Sequence, residues 1–241
     1  MVSRFFSPEP LPQDGRFELP EALAHHAVRV LRMSAGDRMV LFDGSGDEVE
    51  AVLEGQGKRW SARLEKRRAV ERESPLQLVL VQALASADKM DWVVQKAVEL
   101  GVSAVIPVRA SRSVLKLTGE RADKRVAHWR EVAVSACEQS GRNRVPQVAD
   151  VVDLRDYLAQ HRNGPQRLML DPVGGRRLAE LGRPAGVCHI LIGPEGGWSE
   201  EELVACQTAG CDGVTLGPRV LRTETAGLAA LAAMQALWGD F

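Results

Sequence analysis

Two glycine-rich turns carry the residue types most able to do chemistry in this sequence. The first spans residues 193–199 and reads Gly-Pro-Glu-Gly-Gly-Trp-Ser, directly after an apolar run. Glycines let a ligand approach the main chain, and the N–H groups of a following helix can bind it. The spacing matches neither G-x-G-x-x-G nor G-x-x-x-x-G-K-[ST], so it predicts neither a dinucleotide site nor a phosphate loop. A plain strand-to-helix turn is the alternative interpretation.

The second turn, residues 216–226, concentrates charge in front of a strongly apolar stretch. Arg222 and Glu224 lie within it, and Thr223 or Thr225 can cap the helix that follows. A guanidinium can bind an oxygen that gains negative charge, and a carboxylate can accept a proton. The alternative is a local ion pair between the arginine and the glutamate. Two such turns after apolar strands favour a ligand site at one edge of a sheet.

The composition is that of an ordinary soluble globular protein. Of 241 residues, 45% are hydrophobic and 26% charged, and the formal net charge is −1. The four cysteines contain no C-x-x-C pair and the five histidines no H-E-x-x-H pattern, so no metal site is predicted. No apolar run reaches the ~18 residues of a membrane span, and the first dozen residues lack the pattern of a signal peptide. We therefore expect a cytoplasmic protein with reduced thiols and no membrane contact.

The first seventy-odd residues are predicted to form a small, strand-rich domain. A short helix over residues 20–33 precedes three short strands at 39–42, 48–53 and 60–64, which glycine-rich turns separate. This succession is typical of a small β-barrel. The charged stretch 65–74 is predicted to be an edge strand or a linker.

After Pro75, apolar strands alternate with longer helical segments, which predicts α/β units around a mainly parallel sheet. The predicted strands are 76–83, 104–108, 167–170, 188–192 and 213–216. The predicted helices are 87–100, 120–140, 199–210 and 224–238. Ser199 and Glu202 form a capping-box pattern at the start of the third of these helices. The last helix is apolar nearly all round, so we expect the sheet or another subunit to cover it.

A basic stretch lies in this second region, although the chain as a whole is nearly neutral. Residues 109–144 contain nine Lys and Arg against four Asp and Glu. Clustered cations bind the phosphates of nucleic acids. The stretch therefore predicts a nucleic-acid contact, and a solvated surface is the alternative.

The two turns belong to a pattern that runs along the whole chain. It includes Arg4-Phe5-Phe6, residues 25–32, Leu41-Phe42-Asp43-Gly44, residues 95–102 and Glu138-Gln139-Ser140-Gly141-Arg142. With these motifs the chain closely resembles the RsmE family of 16S rRNA uridine-N3 methyltransferases, which belong to the SPOUT superfamily of S-adenosylmethionine (SAM) enzymes. The turns at 193–197 and 216–226 are the most diagnostic parts.

The resemblance implies an architecture and a cofactor. It implies a PUA-like β-barrel RNA-binding domain over residues 1–72 and a SPOUT trefoil-knot α/β domain over residues 73–241, assembled as a homodimer. In this superfamily SAM lies bent in the knot and is held largely by main-chain groups. The cofactor-binding residues implied here are Leu170, Gly193, Pro194, Glu195, Gly196, Gly197, Leu216, Gly217, Leu221 and Thr225.

The resemblance also implies the reaction, which is methylation of N3 of a specific uridine in 16S rRNA, near the decoding region of the small ribosomal subunit. Uracil N3 carries a proton at neutral pH, so a group must accept it or stabilise the anion. We expect Arg222 to hold a uracil carbonyl oxygen and Glu138 or Glu224 to accept the proton. The predicted RNA-binding residues are Arg4, Arg29, Arg32, Arg109, Arg112, Arg142 and Arg144.

Two other functions remain open at this point. A nucleotide-dependent α/β enzyme would need one of the two glycine spacings that the sequence lacks. A non-catalytic RNA-binding or ribosome-assembly factor would not need the two intact turns. SAM binding and methyl transfer discriminate among the three functions.

Overall fold

The computed structural model describes residues 2–57, 59–162, 164–171 and 174–241. The chain divides into two compact units. The first contains the residues through Glu73 together with Cys137–Val145, and the second contains Ser74–Ala136 and Pro146–Phe241. The sequence did not predict that a segment from the middle of the chain belongs to the first unit.

The first unit is built on a five-stranded sheet. Its strands are β1 (Ser3–Phe6), β2 (Arg16–Glu18), β3 (Arg38–Phe42), β4 (Asp47–Gln56) and β5 (Arg59–Ala69). They lie in the order β1-β3-β4-β5-β2, with β1 parallel to β3 and the other pairs antiparallel. Phe5, Leu41 and Leu53 are fully buried at the core of this unit. The sequence missed β1 and β2 because strands of three or four residues are too short to show alternation.

The predicted helix over residues 20–33 has two parts. It begins as α1 (Glu21–His25) and continues as one π-helical turn, His26–Val30. Wide π-helical turns are often found at functional sites. Arg32, just beyond this turn, has φ +57°.

The second unit has the predicted α/β architecture. Its strands are β6 (Leu78–Ala83), β7 (Ala104–Arg109), β8 (Gln147–Val148), β9 (Val152–Asp153), β10 (Gln166–Leu170), β11 (Arg176–Arg177), β12 (Cys188–Ile192) and β13 (Asp212–Thr215). Its helices are α2 (Ala87–Glu99), α3 (Gly119–Ser140), α4 (Leu154–Gln160), α5 (Glu200–Thr208) and α6 (Thr223–Trp238). The last turn of α3 belongs to the first unit. Each predicted long helix is present with its ends shifted by one or two residues.

The sheet of the second unit brings the two glycine-rich turns to one edge. Its order is β11-β13-β10-β12-β6-β7-β8, all strands are parallel, and β9 pairs with β7. The strands β12 and β13 flank β10, so the turns that follow them leave the sheet at the same end. This is where parallel α/β sheets bind ligands.

Every residue of β6 and β12 is buried, as expected for central strands covered on both faces. Within the described parts of the chain, no helix is long and apolar enough to cross a membrane. The knotted threading of the chain stays a prediction from the resemblance.

Candidate active site

A cleft of about 610 Å³ lies at the carboxyl ends of β10, β12 and β13. Its volume is in the range of small-molecule sites, and most of its wall is apolar. The residues that line it are Lys89, Leu170, Asp171, Ile192, Gly193, Pro194, Glu195, Gly196, Gly197, Trp198, Leu203, Val214, Thr215, Leu216, Arg219, Val220, Leu221, Arg222, Thr223, Glu224 and Ala226.

The structure brings together most of the residues that the resemblance assigns to the cofactor. Eight of the ten line the cleft, namely Leu170, Gly193, Pro194, Glu195, Gly196, Gly197, Leu216 and Leu221. Gly217 lines a smaller apolar pocket that shares Leu216 and Leu221 with the cleft. Thr225 is exposed on α6 and is not among the described lining residues.

The glycines of the first turn are required by close contacts and by backbone conformation. A Cβ on Gly193 would lie 3.2 Å from the indole of Trp198, and a Cβ on Gly196 would lie 3.0 Å from Cβ of Arg112. Gly197 has φ +68°, which other residues rarely adopt. A side chain at position 193 or 196 would therefore press on Trp198 or Arg112, and one at position 197 would strain the backbone.

The helix after the first turn begins as predicted. Ser199 is the N-cap of α5, and its Oγ accepts a hydrogen bond from the N–H of Glu202 at 3.2 Å. The Glu202 carboxylate accepts in turn from the N–H of Ser199 at 2.9 Å. This capping box fixes the direction in which the turn leaves the cleft.

Thr223 joins the two turns instead of capping α6. The N-cap of α6 is Arg222, and no side chain caps the helix there. The Thr223 hydroxyl donates to the carbonyl oxygen of Gly193 at 2.6 Å and accepts from Nε2 of Gln82 at 2.9 Å. Gln82 and Thr223 are both buried. The hydroxyl thus links both turns to the central strand β6.

A lysine that sequence analysis missed lies among the charged groups of the cleft. The Nζ of Lys89 is 3.3 Å from Glu195 Oε1 and 3.2 Å from Glu224 Oε2. The structure therefore pairs Glu224 with Lys89, and not with Arg222 as the local ion-pair alternative proposed. Lys89 lies in the first turn of α2, directly after the carboxyl end of β6. That position was the only signal in the sequence that could have found it.

These contacts set the charge states of two of the groups. Burial disfavours the ammonium of Lys89, but its bonds to Glu224 and Glu195 outweigh burial and raise its pKa. Burial also disfavours the Glu195 carboxylate, but N–H groups of Glu195 itself and of Ser86, and then Lys89, lower its pKa. Both residues are therefore charged near neutral pH.

The cleft wall suits a ligand with a flat ring and several polar groups. The indole Nε1 of Trp198 is buried and has no hydrogen-bond partner among the described residues, so it can donate to a ligand in the cleft. Leu170, Leu216 and Leu221 provide apolar surface for a ring, and carboxylates such as Glu195 favour a cationic ligand. SAM combines an adenine ring with a sulfonium cation, so these residues fit it.

Glu138, the other predicted proton acceptor, is placed in the first unit. Its carboxylate accepts a hydrogen bond from the N–H of Phe6 at 2.9 Å. Burial raises the pKa of Glu138, and the Phe6 hydrogen bond opposes this change. It is not among the described residues that line the cleft.

Two of the predicted RNA-binding arginines have partners inside the first unit. Arg4 donates to Glu48 and to Oδ1 of Asn143, each at 2.6 Å. Arg142 is buried, and its Nε lies 3.2 Å from both carboxylate oxygens of Glu73. These contacts hold segment 137–145 within the first unit, and RNA contact by Arg4 and Arg142 stays a prediction.

Two further arginines of this set stabilise the second unit. Arg109 makes a bidentate ion pair with Asp153 at 2.8 and 2.9 Å. Arg112 donates from Nη1 to the carbonyl oxygens of Gly196 at 3.1 Å and Trp198 at 3.2 Å. Arg112 therefore supports the first glycine-rich turn. The remaining predicted RNA contacts, Arg29, Arg32 and Arg144, are exposed.

Replacing Thr223 tests the link between the two turns. Thr223→Val keeps the shape but removes one of the two acceptors of the Gln82 amide, which still donates to the Ala83 carbonyl oxygen, and leaves the Gly193 carbonyl without its donor. An unsatisfied buried polar group costs about 1–3 kcal/mol. We therefore expect the free energy of unfolding to fall by that amount in denaturant titrations. Thr208→Val, at an exposed position of α5, is the control, and equal stabilities of the two variants would contradict the prediction.

Comparison with known proteins identifies the family. A family model described as an RNA methyltransferase domain matches residues 72–235, and a second described as an RNA methyltransferase PUA domain matches residues 19–59. The chain is 34% identical over 230 residues to ribosomal RNA small subunit methyltransferase E of Bacillus subtilis, with 90% of this chain and 89% of the relative covered.

Solved structures agree over the full length of the chain. One is ribosomal RNA small subunit methyltransferase E of Neisseria gonorrhoeae bound to SAM, at 41% identity and a TM-score of 0.93. Another is a putative methyltransferase of Legionella pneumophila in complex with SAM, at 33% identity and a TM-score of 0.95. All of this chain and all of each solved chain are covered. The chain therefore belongs to the ribosomal RNA small subunit methyltransferase E family, the RsmE family of SPOUT α/β enzymes that its sequence resembles.

Proposed function

We propose that this enzyme transfers the methyl group of SAM to N3 of a uridine in 16S rRNA and forms 3-methyluridine. The observation that carries the proposal is the meeting of both glycine-rich turns in one cleft, with Arg222 and Glu224 in its wall. The Bacillus subtilis and Neisseria gonorrhoeae relatives are named as ribosomal RNA small subunit methyltransferases, which supports the substrate. The Neisseria gonorrhoeae and Legionella pneumophila structures contain SAM, which supports the cofactor.

The cofactor site is assigned to the walls between the two turns. Main-chain groups of residues 193–197 and the free indole N–H of Trp198 are the polar contacts, and Leu170, Leu216 and Leu221 pack on the ring. When bound, SAM supplies a methyl group that its sulfonium already activates. The chain therefore needs mainly to align the nucleophile with that carbon and to exclude water.

Arg222 and Glu224 are assigned to the activation of the nucleophile, uracil N3. Arg222 is exposed at the mouth of the cleft, where its guanidinium can hold a uracil carbonyl oxygen and spread the charge that develops as N3 loses its proton. Glu224 lies two residues further along the same turn and is the proton acceptor favoured by its place in the cleft. Because N3 lies on the pairing edge of uracil, the target base must be unpaired when it enters.

The first domain, residues 1–72, is assigned to RNA binding. The exposed arginines Arg29 and Arg32 lie on and beside the π-helical turn, and Arg144 is exposed in segment 137–145. Mobile cations of this kind contact phosphates. We place the enzyme in the cytoplasm, with the small ribosomal subunit as its substrate.

Methylation of small ribosomal subunits that lack the modification tests the function. Wild-type protein with SAM should give 3-methyluridine in digested rRNA, detected by mass spectrometry. Arg222→Ala should lower kcat by about 10-fold or more with little change in SAM affinity, because its guanidinium acts on the uracil. Arg183→Ala, exposed and outside the cleft, is the matched control.

Three outcomes would contradict this proposal or a part of it. If wild-type protein binds SAM but yields no methylated nucleoside, the substrate assignment is wrong. If it binds RNA but not SAM, the chain is a non-catalytic RNA-binding or ribosome-assembly factor. An unchanged kcat in Arg222→Ala would remove Arg222 from the mechanism.

RNA binding should separate the exposed arginines from the paired ones. The double variant Arg29→Gln with Arg32→Gln should bind a 16S rRNA transcript more weakly, with a salt dependence lower by about 0.7 per lost phosphate contact. Its thermal stability should not change. Arg4→Gln leaves the nearly buried Glu48 with Arg72 in place of two cationic partners, so it should instead destabilise the protein by about 1–3 kcal/mol. Equal salt dependence in the double variant and the wild type would exclude these two residues.

A homodimer is the assembly we propose, because apolar side chains remain exposed at the end of the chain. Val220, Leu237 and Phe241 are 79%, 47% and 68% exposed, and a pocket of about 290 Å³ lies along α6 beside Ala229 and Ala233. Light scattering should give twice the 26.3 kDa of one chain. Ala233→Arg should give a monomer and Thr208→Arg should not, whereas a monomeric wild type would overturn the assignment.

A further inference from the structure

Lys89 is a charged side chain of the cleft wall that, like Asp171 after β10, comes from neither glycine-rich turn. It extends from α2 and contacts Glu195 of the first turn and Glu224 of the second. The two glutamates follow different strands, β12 and β13, and are 29 positions apart in the sequence. A single ammonium therefore joins the two walls of the cleft.

Removal of this ammonium would leave two carboxylates close together. Both lie within 3.3 Å of the same nitrogen. Two carboxylates that lie this close to one point repel each other, which disfavours ionisation of one of them. Lysine suits the task because its ammonium presents three donors from a flexible stem, whereas the planar guanidinium of arginine favours one bidentate partner.

Glu224 depends on Lys89 more than Glu195 does. Glu195 also accepts a hydrogen bond from the N–H of Ser86 at 3.2 Å. Oε2 of Glu224 is buried, and the contact with Lys89 at 3.2 Å is its one polar contact among the described residues. Loss of Lys89 should therefore act mainly on Glu224.

We infer that Lys89 is a positioning residue for methyl transfer, which holds the carboxylates of Glu195 and Glu224 at one ammonium and so fixes the place of Glu224, the proposed acceptor of the N3 proton. The inference rests on the proposed function, since it assigns Lys89 to the base of that reaction. Lys89 itself touches neither the transferred methyl group nor the proton. Lys89 acts on the reaction through Glu224, which lies two positions after Arg222.

The test compares Lys89→Met with Lys96→Met. Both lysines lie on α2, both have side chains that are 29% exposed, and both pair with a glutamate, but Lys96 does not line the cleft. Lys89→Met should lower kcat by about 10-fold or more, and it should move the acidic limb of the pH profile up by about one unit. The limb moves up because a carboxylate with a raised pKa is already protonated at higher pH. Lys96→Met should match the wild type in both.

A double variant distinguishes positioning from a general structural defect. Adding Glu195→Gln to Lys89→Met removes the repulsion between the two carboxylates, so the acidic limb should return toward the wild-type position. A residue that only supports the fold would give no such rescue. If Lys89→Met does not fold, Lys89→Arg and Lys89→Gln take its place. Their pH profiles are measured with and without Glu195→Gln.

A second readout does not require activity. In protein without cofactor, carbon-13 NMR of glutamate side chains, with Glu224→Gln for assignment, gives the pKa of Glu224 directly. Lys89→Met should raise it and the double variant should lower it again. Unchanged titration of Glu224 together with an unchanged pH profile would overturn the inference. A wild-type enzyme without methyl transfer would overturn the proposed function instead, while this titration would still decide whether Lys89 controls Glu224.

Discussion

The hydrogen bond from the Thr223 hydroxyl to the carbonyl oxygen of Gly193 is the contact on which the site depends. It joins the turn after β12 to the turn after β13, and Gln82 of the central strand β6 holds the same hydroxyl from the other side. The parallel sheet brings the two turns to one end, but it does not set the distance between them. A buried hydroxyl with one donor and one acceptor partner keeps the two turns at hydrogen-bond distance.

The turn after β13 carries groups proposed for the cofactor and groups proposed for the nucleophile. Leu216 and Leu221 face the proposed cofactor, and Arg222 and Glu224 follow within three residues. Because the main chain between them is short, any shift of the turn moves the proposed cofactor wall and the proposed proton acceptor together. The enzyme therefore aligns the methyl donor and the uracil by fixing one segment of chain. Such alignment lowers the part of the activation barrier that comes from bringing the two reactants into position.

Local sequence patterns predicted the elements of the second unit and the residues of both turns. Apolar runs and the Ser199 capping box depend on neighbours in the chain, so they can be recognised without the fold. Lys89 could not be found in this way, because its partners lie more than a hundred positions away. The π-helical turn and the two-residue strands were missed for a different reason, since so few residues give no period.

The arginines show why charge counting alone does not locate an RNA surface. The basic stretch 109–144 is rich in Arg, yet Arg109 and Arg142 bind carboxylates inside their own units, and Arg112 supports the first turn. A buried guanidinium is stable only with such partners, because an uncompensated charge is costly away from water. The candidates left for phosphates are those that the fold keeps exposed, such as Arg29 in the π-helical turn and Arg32 just beyond it, which lie outside the basic stretch. Exposure, which depends on the tertiary structure, therefore decides which cations reach the RNA.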